Sequence, residues 1–212
     1  MRPEMIEQES FAIIRKELED RCIVLRNEEE SVIIRCIHAS ADFSYAETLF
    51  FSKDAVNKGV SLIRQGAAIV TDTNMALAGI RKKQVEAFGG YVHCFMADED
   101  VAKEAKQRGV TRAYVSMERA AKLGHPVVIA VGNAPTALLA LHDMAMGKKF
   151  IPDYLIGVPV GFVNVESAKE MIIRDGFDGI VNRGRKGGST IAAAVINALL
   201  IQAQKWQGDQ MC

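Results

Sequence analysis

The stretch VVIAVGNAPTAL, residues 127–138, contains the transition that decides the fold. Its first five residues are all apolar, which is typical of a strand buried on both faces of a parallel sheet. Residues 132–136 then turn the chain into an apolar helix. A strand that passes through a tight loop into a helix is one unit of an α/β fold.

Similar apolar runs occur on both sides of this stretch. They are AAIV (67–70), YVHCF (91–95), YLIGV (154–158) and GIV (179–181). Helical patterns separate them, among them DEDVAKEAKQ, with Asp98 or Asp100 near its cap, and ESAKEMIIRD. Because strands alternate with helices, we predict an α/β protein with a mostly parallel sheet and helices on both faces, a Rossmann-like three-layer architecture.

The chain before the first of these strands has a helical pattern. Residues 4–19 have a broad apolar side, and a second helix begins at Asn27, where Asn-Glu-Glu-Glu forms a capping box with Glu30. A third helix is predicted from about residue 54 to residue 64. No linker, repeat or low-complexity segment interrupts the sequence, so we predict a single domain over residues 1–212 with extra N-terminal helices.

The composition is that of an ordinary globular protein, 49% hydrophobic and 25% charged. Its 26 basic residues balance 26 acidic ones, so no bulk field attracts nucleic acid or an anionic membrane. No stretch reaches the roughly 18 apolar residues of a membrane span, and MRPEMIEQES has no apolar leader region. We expect a cytoplasmic protein that binds neither nucleic acid nor a membrane.

The cysteines and histidines show no metal-ligand spacing. The four cysteines form no CxxC pair, and we expect them to be reduced thiols: Cys22, Cys36, Cys94 and Cys212. The four histidines are not paired at ligand distances either: His38, His93, His125 and His142. We therefore expect no metal site.

Four loops follow predicted strands and are the expected places for a ligand, because open parallel sheets bind ligands beyond the carboxyl ends of their strands. They are TDTNMALAG (71–79), GNAPTAL (132–138), GVPVGFVN (157–164) and NRGRKGGST (182–190). In GNAPTAL, the glycine and the helix N-terminus suit an anion; the alternative is a tight turn with an ordinary cap. Asp72 either serves a ligand or caps the following turn.

The loop RGRKGGST places three cations and three glycines before the apolar helix STIAAAVINALL. This combination suits carboxylates or phosphates, and the alternative is a basic surface loop. The loop is not a Walker A motif, because Gly188 stands where that motif has lysine, and no GxGxxG follows the first predicted strand.

The stretch RCIHA (35–39) places Arg35 and His38 three residues apart on a predicted helix. Residues at this spacing lie on one helix face, so the two side chains can address one ligand. A guanidinium and an imidazole together can bind an anionic substrate and give it a proton.

Six stretches in order resemble the precorrin-8X methylmutase family, also called cobalt-precorrin-8 methylmutase, of cobalamin (vitamin B12) biosynthesis. They are ESFAIIR (9–15), RCIHA, DTNMALAG, GNAPTAL, GVPVGFVN and RGRKGGS, and they span nearly the whole chain. The resemblance implies an isomerase that moves a methyl group from C-11 to C-12 of a corrin-type ring, converting precorrin-8X or cobalt-precorrin-8 to hydrogenobyrinate or cobyrinate.

The resemblance also implies roles for individual residues. His38 matches the proposed proton donor to a ring nitrogen, and Ser10 and Arg35 match substrate-contacting positions. Arg112, in VTRA, matches a further active-site position. The acetate and propionate arms of the substrate require cations and N–H groups, which the arginines, Lys186 and the glycine loops supply. With Ser10 and the loop residues added, the predicted substrate-binding set is Ser10, Arg35, Asp72, Arg112, Asn133, Arg185 and Lys186.

No cofactor is implied, although the substrate itself can carry cobalt. The oxygen-dependent metal-free branch and the anaerobic cobalt branch both stay open, and the RGRKGGS form favours the anaerobic one. The family resemblance further implies a homodimer with active sites near the subunit interface, and product hand-over to neighbouring pathway enzymes. Two alternatives remain: a nucleotide or phosphotransfer enzyme that uses loop 182–190, and a non-catalytic corrinoid carrier.

Overall fold

A computed structural model describes residues 3–124 and 126–208, so His125 and Cys212 lie outside the described residues. The described chain forms eleven α-helices, a short 3-10 turn (Phe95–Ala97) and six strands. The helices are α1 (Pro3–Asp20), α2 (Asn27–Ser40), α3 (Tyr45–Thr48), α4 (Ala55–Arg64), α5 (Asn74–Gly79), α6 (Lys82–Ala87), α7 (Glu99–Arg108), α8 (Arg112–Ala120), α9 (Pro135–Met146), α10 (Val165–Arg174) and α11 (Ser189–Gly208). No described helix is long and apolar enough to cross a membrane.

The strands are β1 (Leu49–Phe51), β2 (Ala68–Thr71), β3 (Tyr91–His93), β4 (Val127–Val131), β5 (Tyr154–Gly157) and β6 (Gly179–Asn182). They form one sheet in the order β1-β6-β5-β4-β2-β3. All neighbours pair in parallel except β1, which pairs antiparallel to β6 at the edge. The five apolar runs all form strands, as predicted, whereas β1 is an addition.

The sheet has a packed core on each face, because side chains alternate along a strand. In β4, Val128 and Ala130 belong to one core, whereas Val127, Ile129 and Val131 belong to the other. The first core contains residues of α1, α2, α4 and α11, and the second contains residues of α8, α9 and α10. The predicted mostly parallel sheet with helices on both faces is confirmed, as are the extra N-terminal helices.

Helix α2 begins at Asn27, as predicted, but the predicted capping box is wrong. Arg26 is the capping residue, and no side chain makes a cap hydrogen bond there. Three glutamates of the first turn, at positions 28–30, instead place negative charge at the positive end of the helix dipole.

One face of α2 is buried in the core, and the other is partly open to solvent. Five residues of this helix are buried in the first core: Val32, Ile33, Ile34, Cys36 and Ile37. Arg35 is partly buried and His38 is exposed on the remaining side. Because α11 packs against α2, α4 and α5, the long helix holds α2 beside the loops at the carboxyl edge of the sheet.

Candidate active site

His38 and Arg35 line one cavity together with the ends of two other helices. Its volume is about 260 Å³, and its wall includes Met75 and Gly79 of α5 and Thr190 of α11. Because α5 follows β2 and α11 follows β6, the cavity lies at the carboxyl edge of the sheet. Hollows of about 390 and 430 Å³ occur elsewhere in the described chain, but their walls hold no histidine.

Two further polar residues of this cavity were not singled out from the sequence, Arg81 and Asn197. A signal for Arg81 existed, because the basic run Arg-Lys-Lys at residues 81–83 follows the DTNMALAG loop almost directly. Asn197 lies within the apolar helix pattern of STIAAAVINALL, where nothing indicates a contact with another segment.

The His38 imidazole contacts an aromatic side chain on one side. Phe11 of α1 lies edge-on to His38, with ring centroids 5.3 Å apart and an interplanar angle of 87°. Among the described residues, no hydrogen-bond partner of the His38 ring is found. A histidine with one fixed side and unoccupied nitrogens can exchange a proton with a bound ligand.

Arg35 is partly compensated within the chain. Its Nη1 atom lies 3.0 Å from Oε1 of Glu7, and its guanidinium lies 5.1 Å from the centre of the Phe11 ring. Only 16% of the Arg35 side chain is exposed. Helix α1 therefore contacts both members of the Arg35–His38 pair.

Ser10 and Arg112 do not line this cavity. Ser10 lies on the side of α1 that carries Glu7 and Phe11, and its hydroxyl donates to the carbonyl of Ile6 at 2.8 Å. Arg112 is exposed at the start of α8 and donates to the carbonyl of Met96 at 3.4 Å, just beyond the end of β3. Arg112 therefore lies near the carboxyl end of β3, and the described chain alone does not bring it to His38.

Asp72 is fully buried and binds the GNAPTAL loop. Its carboxylate accepts the backbone N–H groups of Gly132, Asn133 and Ala134 at 2.7–2.8 Å. Burial raises the pKa of the Asp72 carboxyl above its usual value, while the three N–H donors act in the opposite direction. These contacts favour the alternative of a capping carboxylate, although the capped turn follows β4 and not β2.

For the turn that precedes α9, this arrangement favours the alternative of a tight turn with an ordinary cap. The N–H groups that begin this turn already bind Asp72, an anion of the chain itself. Gly132 is needed there for close packing, because a Cβ atom would lie 2.7 Å from Cα of Ser189. The exposed side chain of Asn133 is the part of this turn that remains open to a ligand.

The cations of the basic glycine loop all pair with carboxylates. Arg183 pairs with Glu170, Arg185 with Glu166 and Lys186 with Asp42, at 2.6, 3.0 and 2.7 Å. A phosphate at this loop would have to compete with three carboxylates. The same competition applies to a substrate carboxylate, so these pairs do not distinguish a nucleotide ligand from a corrinoid one.

A buried lysine holds this loop from below. The Nζ atom of Lys169 is inaccessible to solvent and donates to the carbonyls of Gly184 and Lys186, both at 2.8 Å. Burial lowers the pKa of Lys169 to about 8. The sequence gives no sign of this contact, because a lysine within ESAKEMIIRD is compatible with an ordinary exposed helix position.

Within residues 3–124 and 126–208, no group of three or more His, Cys, Asp or Glu side chains could hold a metal ion. The three described cysteines are free: Cys22, Cys36 and Cys94.

Comparisons with known proteins place this geometry in context. A family model described as Precorrin-8X methylmutase matches residues 5–202. Cobalt-precorrin-8 methylmutase of Priestia megaterium is 38% identical over 96% of this chain and 89% of that protein. The enzyme of the same name from Salmonella typhimurium is 37% identical over 93% of this chain and 94% of that protein. The solved structure of precorrin-8X methyl mutase from Thermus thermophilus is similar with a TM-score of 0.87, 37% identity and coverage of 96% and 97%.

Proposed function

The chain belongs to the precorrin-8X methylmutase family, and on that premise we propose that His38 is the acid that assists methyl migration on a corrin-type ring. The chain is an isomerase of cobalamin biosynthesis, of the methylmutase type. The reaction moves a methyl group from C-11 to C-12 of precorrin-8X or cobalt-precorrin-8 and gives hydrogenobyrinate or cobyrinate.

One observation carries this proposal: His38 faces a cavity at the carboxyl edge of the sheet with no partner for its ring nitrogens among the described residues. A protonated imidazole there can donate to a ring nitrogen of the macrocycle. The conjugated system then becomes more electron-poor, which favours breaking the C-11 bond as the C-12 bond forms. General acid catalysis of this kind contributes about 10²- to 10⁴-fold in rate.

The remaining predicted residues bind the carboxylate arms and the ring in this proposal. Arg35 holds a carboxylate beside His38, with Ser10 on the neighbouring helix. Four further residues contact outer parts of the substrate: Asn133, Arg185, Lys186 and Arg112. Asp72 acts differently: it holds the GNAPTAL loop, because its carboxylate is buried and occupied by N–H groups.

A second copy of the chain completes the site in this proposal. The cavity of about 260 Å³ lies below the range of about 300–1,000 Å³ that encloses drug-sized ligands, and a corrin-type ring is larger than those. Loop 157–164 also exposes Phe162 and Val163, by 82% and 76%, at the same edge of the sheet. Exposed apolar side chains on a loop beside a site are suited to contact with another subunit.

The experiment is to incubate the protein with metal-free and cobalt-bearing substrate, without added cofactor, and to follow the visible spectrum. We expect conversion of at least one form to the corresponding corrinoid acid. Tight binding with no spectral conversion of either form would contradict the isomerase proposal and favour the alternative of a non-catalytic carrier. Conversion that required an added reductant or metal would contradict our expectation that the enzyme needs no cofactor.

A further inference from the structure

The cavity of His38 has a basic rim that does not belong to the RGRKGGS loop. Arg81 lines the cavity, and Lys82 and Lys83 follow it at the start of α6. All three side chains are exposed. They form a compact positive segment directly after α5, beside the residues assigned to the substrate.

The three cations of this segment have no carboxylate partner in the described part of the chain, unlike Arg35 and the cations of loop 183–188. Arg35 pairs with Glu7 at 3.0 Å, and the cations of loop 183–188 pair with three further carboxylates. A ligand carboxylate that binds Arg81 therefore displaces no existing ion pair, and the planar guanidinium offers it a charge-assisted, bidentate contact.

The backbone that carries Arg81 is fixed to α11. The side-chain oxygen of Asn197 accepts the N–H of Arg81 at 3.0 Å, and its amide nitrogen donates to the carbonyl of Gly79 at 2.9 Å. Gly79 approaches this helix so closely that a Cβ atom would lie 2.8 Å from that of Ala193. Since α11 also supplies Thr190 to the cavity, one helix sets the position of Arg81 relative to the cavity wall.

We propose that Arg81 binds an acetate or propionate carboxylate of the substrate at the rim of the His38 cavity, and that Asn197 is the residue that positions it. The proposal rests on the proposed function, because it takes the corrinoid acid as the ligand. Arg81 binds a carboxylate at one edge of the ring, and the part of the cavity beside His38 receives the ring itself.

The test is a titration of wild type and Arg81→Ala with cobyrinate and with its carboxyl-amidated derivative, which keeps the ring and removes the charges. The matched control is Lys83→Ala. It also removes one positive charge, but Lys83 lies two residues further along the chain and does not line the cavity. Loss of one charge-assisted contact predicts a dissociation constant for cobyrinate at least tenfold higher in Arg81→Ala. We expect less than a threefold change in Lys83→Ala, and equal affinity of wild type and Arg81→Ala for the amidated derivative.

Two results would overturn the inference. One is an unchanged dissociation constant for cobyrinate in Arg81→Ala. The other is an equal loss of affinity in Lys83→Ala, which would mean that the positive segment acts through its overall electrostatic field and not through a specific contact of Arg81. Asn197→Ala tests the positioning role, with a raised KM, an unchanged kcat and an unchanged melting temperature as the expected result. An unchanged KM, or a kcat that falls with the melting temperature, would refute that role.

The same assays separate this inference from the proposed function. If wild type binds cobyrinate through Arg81 but converts neither substrate form, the proposed isomerase activity is wrong and the carboxylate site stands. If wild type converts substrate and Arg81→Ala keeps the wild-type KM and dissociation constant, the carboxylate site is wrong and the activity stands.

Discussion

The ring of Phe11 stands edge-on to the imidazole of His38, with the two centroids 5.3 Å apart. The contact joins α1 to α2 and fixes one side of the imidazole. The guanidinium of Arg35 lies over the same phenyl ring at 5.1 Å. One aromatic side chain therefore orients both the proposed acid and its neighbouring cation.

Replacing Phe11 with alanine should reduce turnover. An aromatic pair contributes roughly 0.5–1.5 kcal/mol beyond its buried area, and its loss lets the imidazole leave its position. We expect kcat to fall by about tenfold, measured from the visible spectrum at saturating substrate. Ile13→Ala is the matched control, because Ile13 lies on the same helix and is 59% exposed. A wild-type kcat in Phe11→Ala would show that the aromatic contact does not orient His38.

Replacing Asp72 with asparagine should destabilise the fold itself. The carboxylate accepts three N–H groups in a buried place, and hydrogen bonds to a charged group are worth about 1.5–3 kcal/mol each. We expect urea unfolding to show a free energy of unfolding at least about 2 kcal/mol lower than in wild type. Asp143→Asn, at an exposed helix position, should change it by less than about 0.5 kcal/mol. Equal stability of the two variants would return Asp72 to the candidate ligand contacts.

Much of the architecture is predictable from the sequence, because buried parallel strands are continuous apolar runs. VVIAV (127–131) is β4 without any change of boundary. β1 escapes prediction because a strand of three residues, Leu49–Phe51, offers no periodicity. Its place in the sheet depends on pairing with β6, which lies far away along the chain.

The site is only partly predictable for a related reason. Helical spacing is enough to place Arg35 and His38 on one face. The partner of Asp72 is set by the adjacency of β2 and β4, and local sequence shows only that a carboxylate follows a strand. The pairing of Arg185 with Glu166 likewise depends on how α10 packs beside the loop that follows β6.

Lys169 predicts a pH dependence of stability. Burial lowers its pKa from 10.5 to about 8, so between these values the unfolded chain binds more protons than the folded chain. The free energy of unfolding contributed by this group therefore rises with pH, by at most about 1.4 kcal/mol per pH unit. Below pH 8 the charged, buried form costs stability, and above 10.5 that cost is absent.

The measurement compares wild type with Lys169→Met by urea unfolding at several pH values between 7 and 10. We expect the difference in free energy, wild type minus variant, to increase as pH rises above about 8. Other groups that titrate in this range cancel in the difference. A difference that stays constant with pH would mean that Lys169 keeps an ordinary proton affinity.

The proposed dimer predicts one species in sedimentation at assay concentrations. Dilution to the monomer should reduce specific activity, since the cavity of a single chain is too small to enclose the ring. Phe162→Glu, on the exposed loop, should weaken association. A fully active monomer would contradict the proposal that a second subunit completes the site.

The most direct test of the central proposal is turnover by His38→Asn at saturating substrate, beside its affinity for product corrinoid. Asparagine keeps polarity and approximate size but cannot act as an acid. We expect folding and product binding as in wild type, with a kcat lower by about 10²- to 10⁴-fold. Arg35→Ala should show the opposite pattern, with affinity about tenfold to 150-fold lower. A kcat of His38→Asn within about threefold of wild type would contradict the assignment of His38 as the acid, because that is far below the expected range.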